Sequence, residues 1–241
     1  MSLAQTLSLS TLEKIQTRFG LREVGAPFLA LSNPAFPAPL GACRIFAGQA
    51  VYKLVYIGLQ FPPAGLDSHM LFAFTPPDSL VPHFTLDSVL AGPHFAFHLD
   101  LIPRVDLGAN LAYLNAAFQP LTPAFDEAKQ LDGLSAAVLS PRQYAIMSPW
   151  MLAYRATESA FARIDGWVSH YLDHWAGLVE NGLSVPVASG LPPAERDRLN
   201  RAAIFNPDVD PVWAQIDRML GAETSARLRA ILQNPAVEAQ P

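Results

Sequence analysis

The chain holds a single cysteine, Cys43, in 241 residues. An intrachain disulfide is therefore excluded, and a thiolate metal site lacks its ligands. Charge is also scarce: Asp, Glu, Lys and Arg make up 15% of the residues, and the net charge is −5. No run of Lys and Arg exceeds two residues, so the electrostatic footprint of a nucleic-acid binder is missing. Nothing approaches the roughly 18 consecutive apolar residues of a membrane span. The opening MSLAQTLSLSTLEK has neither a basic n-region nor a long apolar h-region, so it does not read as a secretory signal. A Gly-rich phosphate loop, a GxSxG elbow and a Cys/His nucleophile pair are absent, which argues against kinases, Rossmann dehydrogenases and the common hydrolases. Together these absences predict a soluble protein of a reducing compartment, cytoplasmic in location.

What is present is apolar. Hydrophobic residues make up 51% of the chain, enough for a large core. With so few charges to cover the surface, a large pocket or a partner interface is expected. The oligomeric state stays open, a dimer included. No linker or repeat divides the sequence, so residues 1–241 read as one domain. The tail PAVEAQP, after about residue 234, is expected to fray.

Residues 9–19 read as a helix, with Ser10 or Thr11 as cap and Gly20 as stop. From Phe28 the pattern changes to strands: 44–48, 50–61, 69–75, 83–91 and 94–102, rich in Val, Phe, Tyr, Leu and Ile. The breaks FPPAGLD, TPPDSLVP and AGP supply turn chemistry. Connections this short force an antiparallel meander, because a parallel crossover needs a dozen or more residues. Helical periods follow at 108–118, 122–131 and 141–147. The segment WMLAYRA (150–156) can return to the sheet. A long amphipathic helix over 157–182 then carries the stripe Phe161, Ile164, Val168, Tyr171, Trp175 and Leu178. Helices at 193–204, 210–220 and 222–233 complete the chain. Strands followed by helices predict an α+β fold, a three-layer α/β/α sandwich with a central antiparallel sheet.

Within HFAFHLDLIP, residues 94–103, Phe95, Phe97, Leu99 and Leu101 share one strand face. His94, His98 and Asp100 share the other. At about 3.3 Å per residue the two histidines stand about 13 Å apart, so they cannot ligate one ion. That face is either solvated or lines a site. His170 and His174 sit at i, i+4 on the long helix. The spacing suits zinc, but the Glu of HExxH and a third ligand are missing, and boundary residues of an amphipathic helix are the alternative. Asp87 lies inside HFTLDSVLAGP, an otherwise apolar strand. Desolvated there, it would hold its proton toward neutral pH; the alternative is an edge-strand Asp hydrogen-bonded to the turn. Asp208 or Asp210 can cap the helix that Pro211 begins.

Several segments carry a resemblance in their order. TLDSVLAGP, HLDLIPRVDLGANLAYL, IMSPWMLAYRA and RDRLNRAAIFNPDVDPVWAQIDRMLG resemble the ferredoxin-dependent bilin reductase superfamily, more closely its red chlorophyll catabolite reductase branch, over roughly residues 45–233. The resemblance implies an α/β/α sandwich that reduces a linear tetrapyrrole such as biliverdin. It implies no bound metal or flavin. Reduced ferredoxin supplies single electrons and side chains supply protons. Asp87 matches the family's central proton-donating Asp, and Asp210 the C-terminal Asp that faces the pocket. Two positions depart from the pattern. Gln60 stands in the region of a catalytic Glu, and an amide cannot donate a proton as a carboxylic acid does. Met70 stands near the pocket His, with His69 beside it but on the opposite strand face. Gln60, His69, Met70 and His98 are candidate substrate-binding residues. Arg142 and Arg155 are candidates by position for holding propionates. Arg196, Arg198, Arg201, Arg218, Arg227 and Arg229 cluster toward the C-terminus, where a basic docking face for acidic ferredoxin is expected. A tetrapyrrole-binding or carrier protein without turnover remains the second reading.

Overall fold

The computed structural model describes residues 1–24, 28–33, 35–188 and 190–236. A nine-stranded antiparallel sheet runs through its centre. The strands are β1 (Arg22–Glu23), β2 (Phe28–Leu31), β3 (Gly41–Ala47), β4 (Lys53–Phe61), β5 (Leu66–Phe74), β6 (His83–Ala91), β7 (His94–Ile102), β8 (Leu134–Ala136) and β9 (Leu152–Ala156). Their order is β1-β3-β4-β5-β6-β7-β9-β8, with β2 also paired to β3. The stretch β3 to β7 is the expected meander, and WMLAYRA returns to the sheet as β9 between β7 and β8.

Helices cover both faces. On one lie α1 (Leu3–Phe19), α2 (Leu111–Ala117), α3 (Thr122–Ala128), α5 (Glu158–Phe161) and α6 (Asp165–Asn181). They bury Leu54, Leu71, Phe84, Phe95, Phe97, Leu99 and Leu101 from the strands. The ridge Phe95/Phe97/Leu99/Leu101 thus packs under helices. On the other face lie α4 (Pro141–Ile146), α7 (Pro193–Ile204), α8 (Val212–Leu220) and α9 (Ala222–Gln233), whose apolar sides meet Val55, Ile57, Met70 and Phe74. The architecture is α+β, in three layers.

Several boundaries move. The first helix begins at Leu3, and its cap is Ser2, whose side chain accepts from the Gln5 N–H. Ser10 and Thr11 lie inside the helix and donate to the Leu7 carbonyl instead. Strand β3 starts at Gly41, β4 at Lys53 and β5 at Leu66. The long amphipathic segment is two helices, because the chain turns tightly between Phe161 and Asp165 while its apolar stripe continues. Strand β8 is a three-residue edge strand too short to show a period. Residues 234–236 are held: the buried Lys53 ammonium donates to the carbonyls of Ile231, Asn234 and Ala236. A cation there meets the unpaired carbonyls and negative dipole of the α9 C-terminus. The remainder of the tail expected to fray, residues 237–241, lies outside the described residues.

One turn positions the site. The loop between β6 and β7 is two residues, Gly92 and Pro93, with Gly92 at φ 58°. A two-residue hairpin loop of this kind takes Gly at its first central position, because a Cβ disfavours positive φ. The turn sets Ala91 opposite His94 and therefore Asp87 opposite His98. A slip of one residue would send both to the other face.

Candidate active site

A cavity of about 240 Å³ lies between the sheet and the C-terminal helices. Its floor is the outward-pointing set of three long strands: Ser68, Met70, Phe72 and Phe74 of β5; His83, Thr85, Asp87 and Val89 of β6; Ala96 and His98 of β7. Its roof comes from Gln143 and Met147 around α4, Arg201, Ile204 and Phe205 around α7, and Asp210, Val212 and Trp213 at α8. Leu139 and Gln143 also line a surface cleft formed with Arg142 and Pro207–Val209, which marks the way out. Phe72 and Phe205 meet edge to face at 5.1 Å, so one wall is aromatic.

Register puts the chemistry in one row. Met70 pairs with Asp87, Asp87 with His98, and His98 with Ala153. Asp87 Oδ2 lies 3.4 Å from His98 Nδ1. Asp87 is thus on a central strand, not at an edge. Asp210 faces the same cavity and accepts the Val212 N–H through Oδ1 at 3.1 Å. It supports the start of α8 and lines the pocket at once, whereas Asp208 does not cap this helix.

The electrostatics favour stored protons. Burial, reinforced by the charge of Asp87, pushes the Asp210 carboxyl up to about 6. Burial alone would lower His98, but Asp87, Asp100 and Asp210 outweigh it and raise the imidazole above its ordinary value. Asp100, fully buried, is pushed up to about 6 by desolvation. Its oxygens accept from the backbone and hydroxyl of Ser148 and from the Leu101 N–H. That grip leaves it a supporting charge behind His98. A protonated His98 donates to Asp87 from Nδ1 and turns Nε2 away from it. Among the described residues, His98 Nε2, Asp87 Oδ1, Thr85 Oγ1, Trp213 Nε1 and both terminal nitrogens of Arg201 are buried without a hydrogen-bond partner in the protein. These belong to residues lining this cavity, while one further such atom, Arg104 Nε, does not. Buried polar atoms are normally paired, so their concentration here identifies groups available to a ligand.

Asparagine at Asp210 tests the cost of this arrangement. A carboxyl whose folded pKa lies above its unfolded value stabilises the fold below the unfolded pKa, and that stability is lost as pH rises through about 6. Asp210→Asn keeps an acceptor for Val212 and cannot ionise. Its melting midpoint is expected to exceed that of the native chain at pH 8, by an equivalent of about 1–2 kcal/mol after allowance for partial exposure. The difference should vanish below about pH 4. Thermal denaturation at the two pH values measures it.

The sequence-predicted residues separate into two groups. Asp87, His98, Met70 and Asp210 line the cavity. Gln60, His69, Arg142 and Arg155 do not. Gln60 is an exposed residue near the end of β4. His69 is turned to the other face of the sheet, where Nδ1 meets the Tyr56 hydroxyl at 2.8 Å and Nε2 meets Asp67 at 2.7 Å. Arg142 donates to the Asp208 carbonyl in the outer cleft. Arg155 is exposed, opposite Ala96 and beyond the cavity's edge. His174 Nε2 meets the Ala117 carbonyl at 2.8 Å and His170 Nε2 the Pro120 carbonyl at 3.4 Å, so each ring is engaged with the chain beside it. No group of three or more His, Cys, Asp or Glu able to hold a metal occurs among the described residues. The six C-terminal arginines do not form one solvent face: Arg201 is fully buried and Arg196 donates to the Pro103 carbonyl.

Sequence reasoning missed Arg201 as a site residue, and with it a buried polar cluster. His83 Nε2 lies 2.6 Å from Asp197 Oδ1. Arg201 Nε donates to both Asp197 oxygens, at 3.2 and 3.1 Å. Arg104 stands 3.9 Å from the same carboxylate and donates to Thr75 and to the Pro76 and Pro77 carbonyls. The Thr75 N–H donates to His83 Nδ1, so the proton of a neutral His83 sits on Nε2 and points at Asp197. Burial, helped by Arg104, pushes the imidazole down to about 3. Asp197 stays well below the ordinary carboxylate range because His83, Arg201 and Arg104 outweigh its burial.

No family model matches the sequence, and no curated protein matches it. Among solved structures the chain is similar to phytochromobilin synthase from tomato, crystallised in complex with biliverdin. The TM-score is 0.74 at 16% identity, covering 98% of this chain and 85% of that one. At that identity the likeness establishes a shared fold. No helix among the described residues is long and apolar enough to cross a membrane.

Proposed function

We propose that the chain reduces a linear tetrapyrrole, a bilin or a chlorophyll catabolite, with protons supplied by the cavity and single electrons supplied by reduced ferredoxin. One observation carries this: Asp87, His98 and Asp210 converge, with Asp87 Oδ1 and His98 Nε2 unpaired, on an apolar cavity between sheet and C-terminal helices. The shared fold with a biliverdin complex supports the choice of ligand, and the order of sequence motifs supports the red chlorophyll catabolite branch. The enclosed volume falls below the roughly 300–1,000 Å³ usual for ligand sites. A tetrapyrrole would therefore extend through the mouth beside Leu139 and Gln143.

The balance is simple. Saturating one carbon–carbon double bond takes two electrons and two protons. Ferredoxin passes the electrons one at a time, and the donor is oxidised. Protons come from Asp210 and His98, with the Asp87 carboxylate passing on the His98 proton it meets at Nδ1, and bulk solvent then reloads them. Groups that hold a proton near neutrality suit this task, because each donation has to follow an electron without a large energetic mismatch. No resident metal or flavin is invoked.

The decisive assay is anaerobic incubation with biliverdin, ferredoxin, ferredoxin reductase and NADPH, followed by absorbance, with red chlorophyll catabolite as the parallel substrate. A shifted spectrum on binding and its bleaching or further shift on reduction are the expected outcome. Failure of both compounds to bind overturns the proposal. Tight binding without turnover would instead establish the carrier reading, which Met70 favours by placing an apolar side chain in the cavity beside Asp87.

A further inference from the structure

The buried cluster at the His83 end of the cavity is out of charge balance. Asp197 supplies one negative charge, and Arg104 and Arg201 supply two positive ones. The neutral His83 adds none. The two arginines are not equivalent. Arg104 spends its terminal nitrogens on Thr75 and two backbone carbonyls. Arg201 commits only Nε, to Asp197. Its guanidinium lies 3.7 Å over the Phe74 ring, which fixes the plane of the fork. Both of its terminal nitrogens are buried and unpaired in the protein, in a residue 0% exposed that lines the cavity. A planar fork held in place with two parallel donors free is the geometry that grips a carboxylate bidentately.

We propose that Arg201 is the anchor for a carboxylate of the ligand, bound through its two free terminal nitrogens at the closed end of the cavity. His83 and Asp87 are four residues apart on β6, so the anchor's end of the cavity stands about 13 Å along the strand from the proton-donating row. The ligand is then an apolar, conjugated molecule with an acid group about that far from its reacting atoms. In the tetrapyrrole reading, on which the identity of the ligand rests, the acid is a propionate. Arg201 thus takes the role that position alone suggested for Arg142 and Arg155, which lie outside the cavity.

Two probe pairs test the anchor independently of the tetrapyrrole reading. The first is biliverdin and its dimethyl ester. The second is pyrenebutyrate and its methyl ester, which share apolar bulk and differ in charge. Each is titrated into the full chain by absorbance or fluorescence. The native protein is expected to bind each acid at least tenfold more tightly than its ester. Arg201→Met should erase that preference and leave ester affinity within threefold. Arg201→Lys, which retains the charge and loses the fork, should weaken acid binding at least threefold; it also decides the matter if the methionine variant does not fold. Equal affinity of the native protein for acid and ester, an unchanged preference in Arg201→Met, unchanged acid affinity in Arg201→Lys, or no binding of either acid would each overturn the anchor. Selective, Arg201-dependent binding of pyrenebutyrate with no binding of biliverdin would leave the anchor standing and remove the tetrapyrrole reading.

Discussion

Asp87→Asn is expected to lower turnover of a bound tetrapyrrole by about 100- to 10,000-fold, the usual range for losing a positioned proton donor. Affinity should change only a few-fold. Asparagine preserves the shape and removes the carboxylate that relays the His98 proton. It also removes the charge that holds the proton on His98, where burial pulls the other way. The variant's imidazole should therefore titrate at lower pH than the native one, visible in the ring-proton shifts of His98 by NMR. Asp210 responds in the same direction, since the charge of Asp87 is part of what raises its carboxyl to about 6. The native rate should fall as pH rises through about 6, where Asp210 gives up its proton. In Asp87→Asn the residual rate should begin to fall at lower pH. Anaerobic single-turnover absorbance across pH 5–8, with ligand titration alongside, reads both effects. Native-like turnover in the variant would remove Asp87 from the mechanism.

The pairing that supports this prediction was already written in the sequence. AGP closes a two-residue turn, so residues equally distant from it on either side must face each other, and Asp87 and His98 are such a pair. The central strands were equally legible, because alternation of apolar residues over nine positions has no helical counterpart. The two- to four-residue strands β1, β2 and β8 carry no period to detect. The buried cations were illegible for a different reason. AERDRLNR reads as a solvated helix face, and helical period places Asp197 and Arg201 on one side without saying whether that side meets water or the sheet. Only the tertiary packing of α7 against β6, which brings His83 to Asp197, decides it. The same limit applies to Arg104 in IPRVDL, an ordinary loop arginine until Thr75, Pro76 and Pro77 surround it. Gln60 shows the converse error. Its place in the order of motifs suggested a pocket residue, yet on β4 it shares the face of Tyr56, opposite the cavity-side residue Ile57.

Asp197→Ala is expected to cost about 3–5 kcal/mol of stability, the range for breaking a buried ion pair by deleting one partner. The chain would lose most of its folding margin, or fail to accumulate as soluble protein. The size follows from what is left behind. Asp197 is 1% exposed and is the sole carboxylate paired with Arg104, Arg201 and His83 among the described residues. Without it two guanidinium groups remain in an apolar interior, and the His83 Nε2–H loses its acceptor. Arg201→Met makes the opposite change. It leaves one positive and one negative charge, and it fills the space above Phe74 with an unbranched apolar chain. Its cost should be the smaller of the two, because Asp197 keeps Arg104 at 3.9 Å and the His83 Nε2–H and is not left as an unpaired buried charge. Chemical denaturation midpoints of the two variants at pH 7 provide the comparison. Equal losses would mean that the cluster is held by packing alone and that its surplus charge carries no energetic weight. The predicted inequality would mean that the fold tolerates an excess cation at the cavity for which its own packing has no use, a charge whose partner arrives with the ligand.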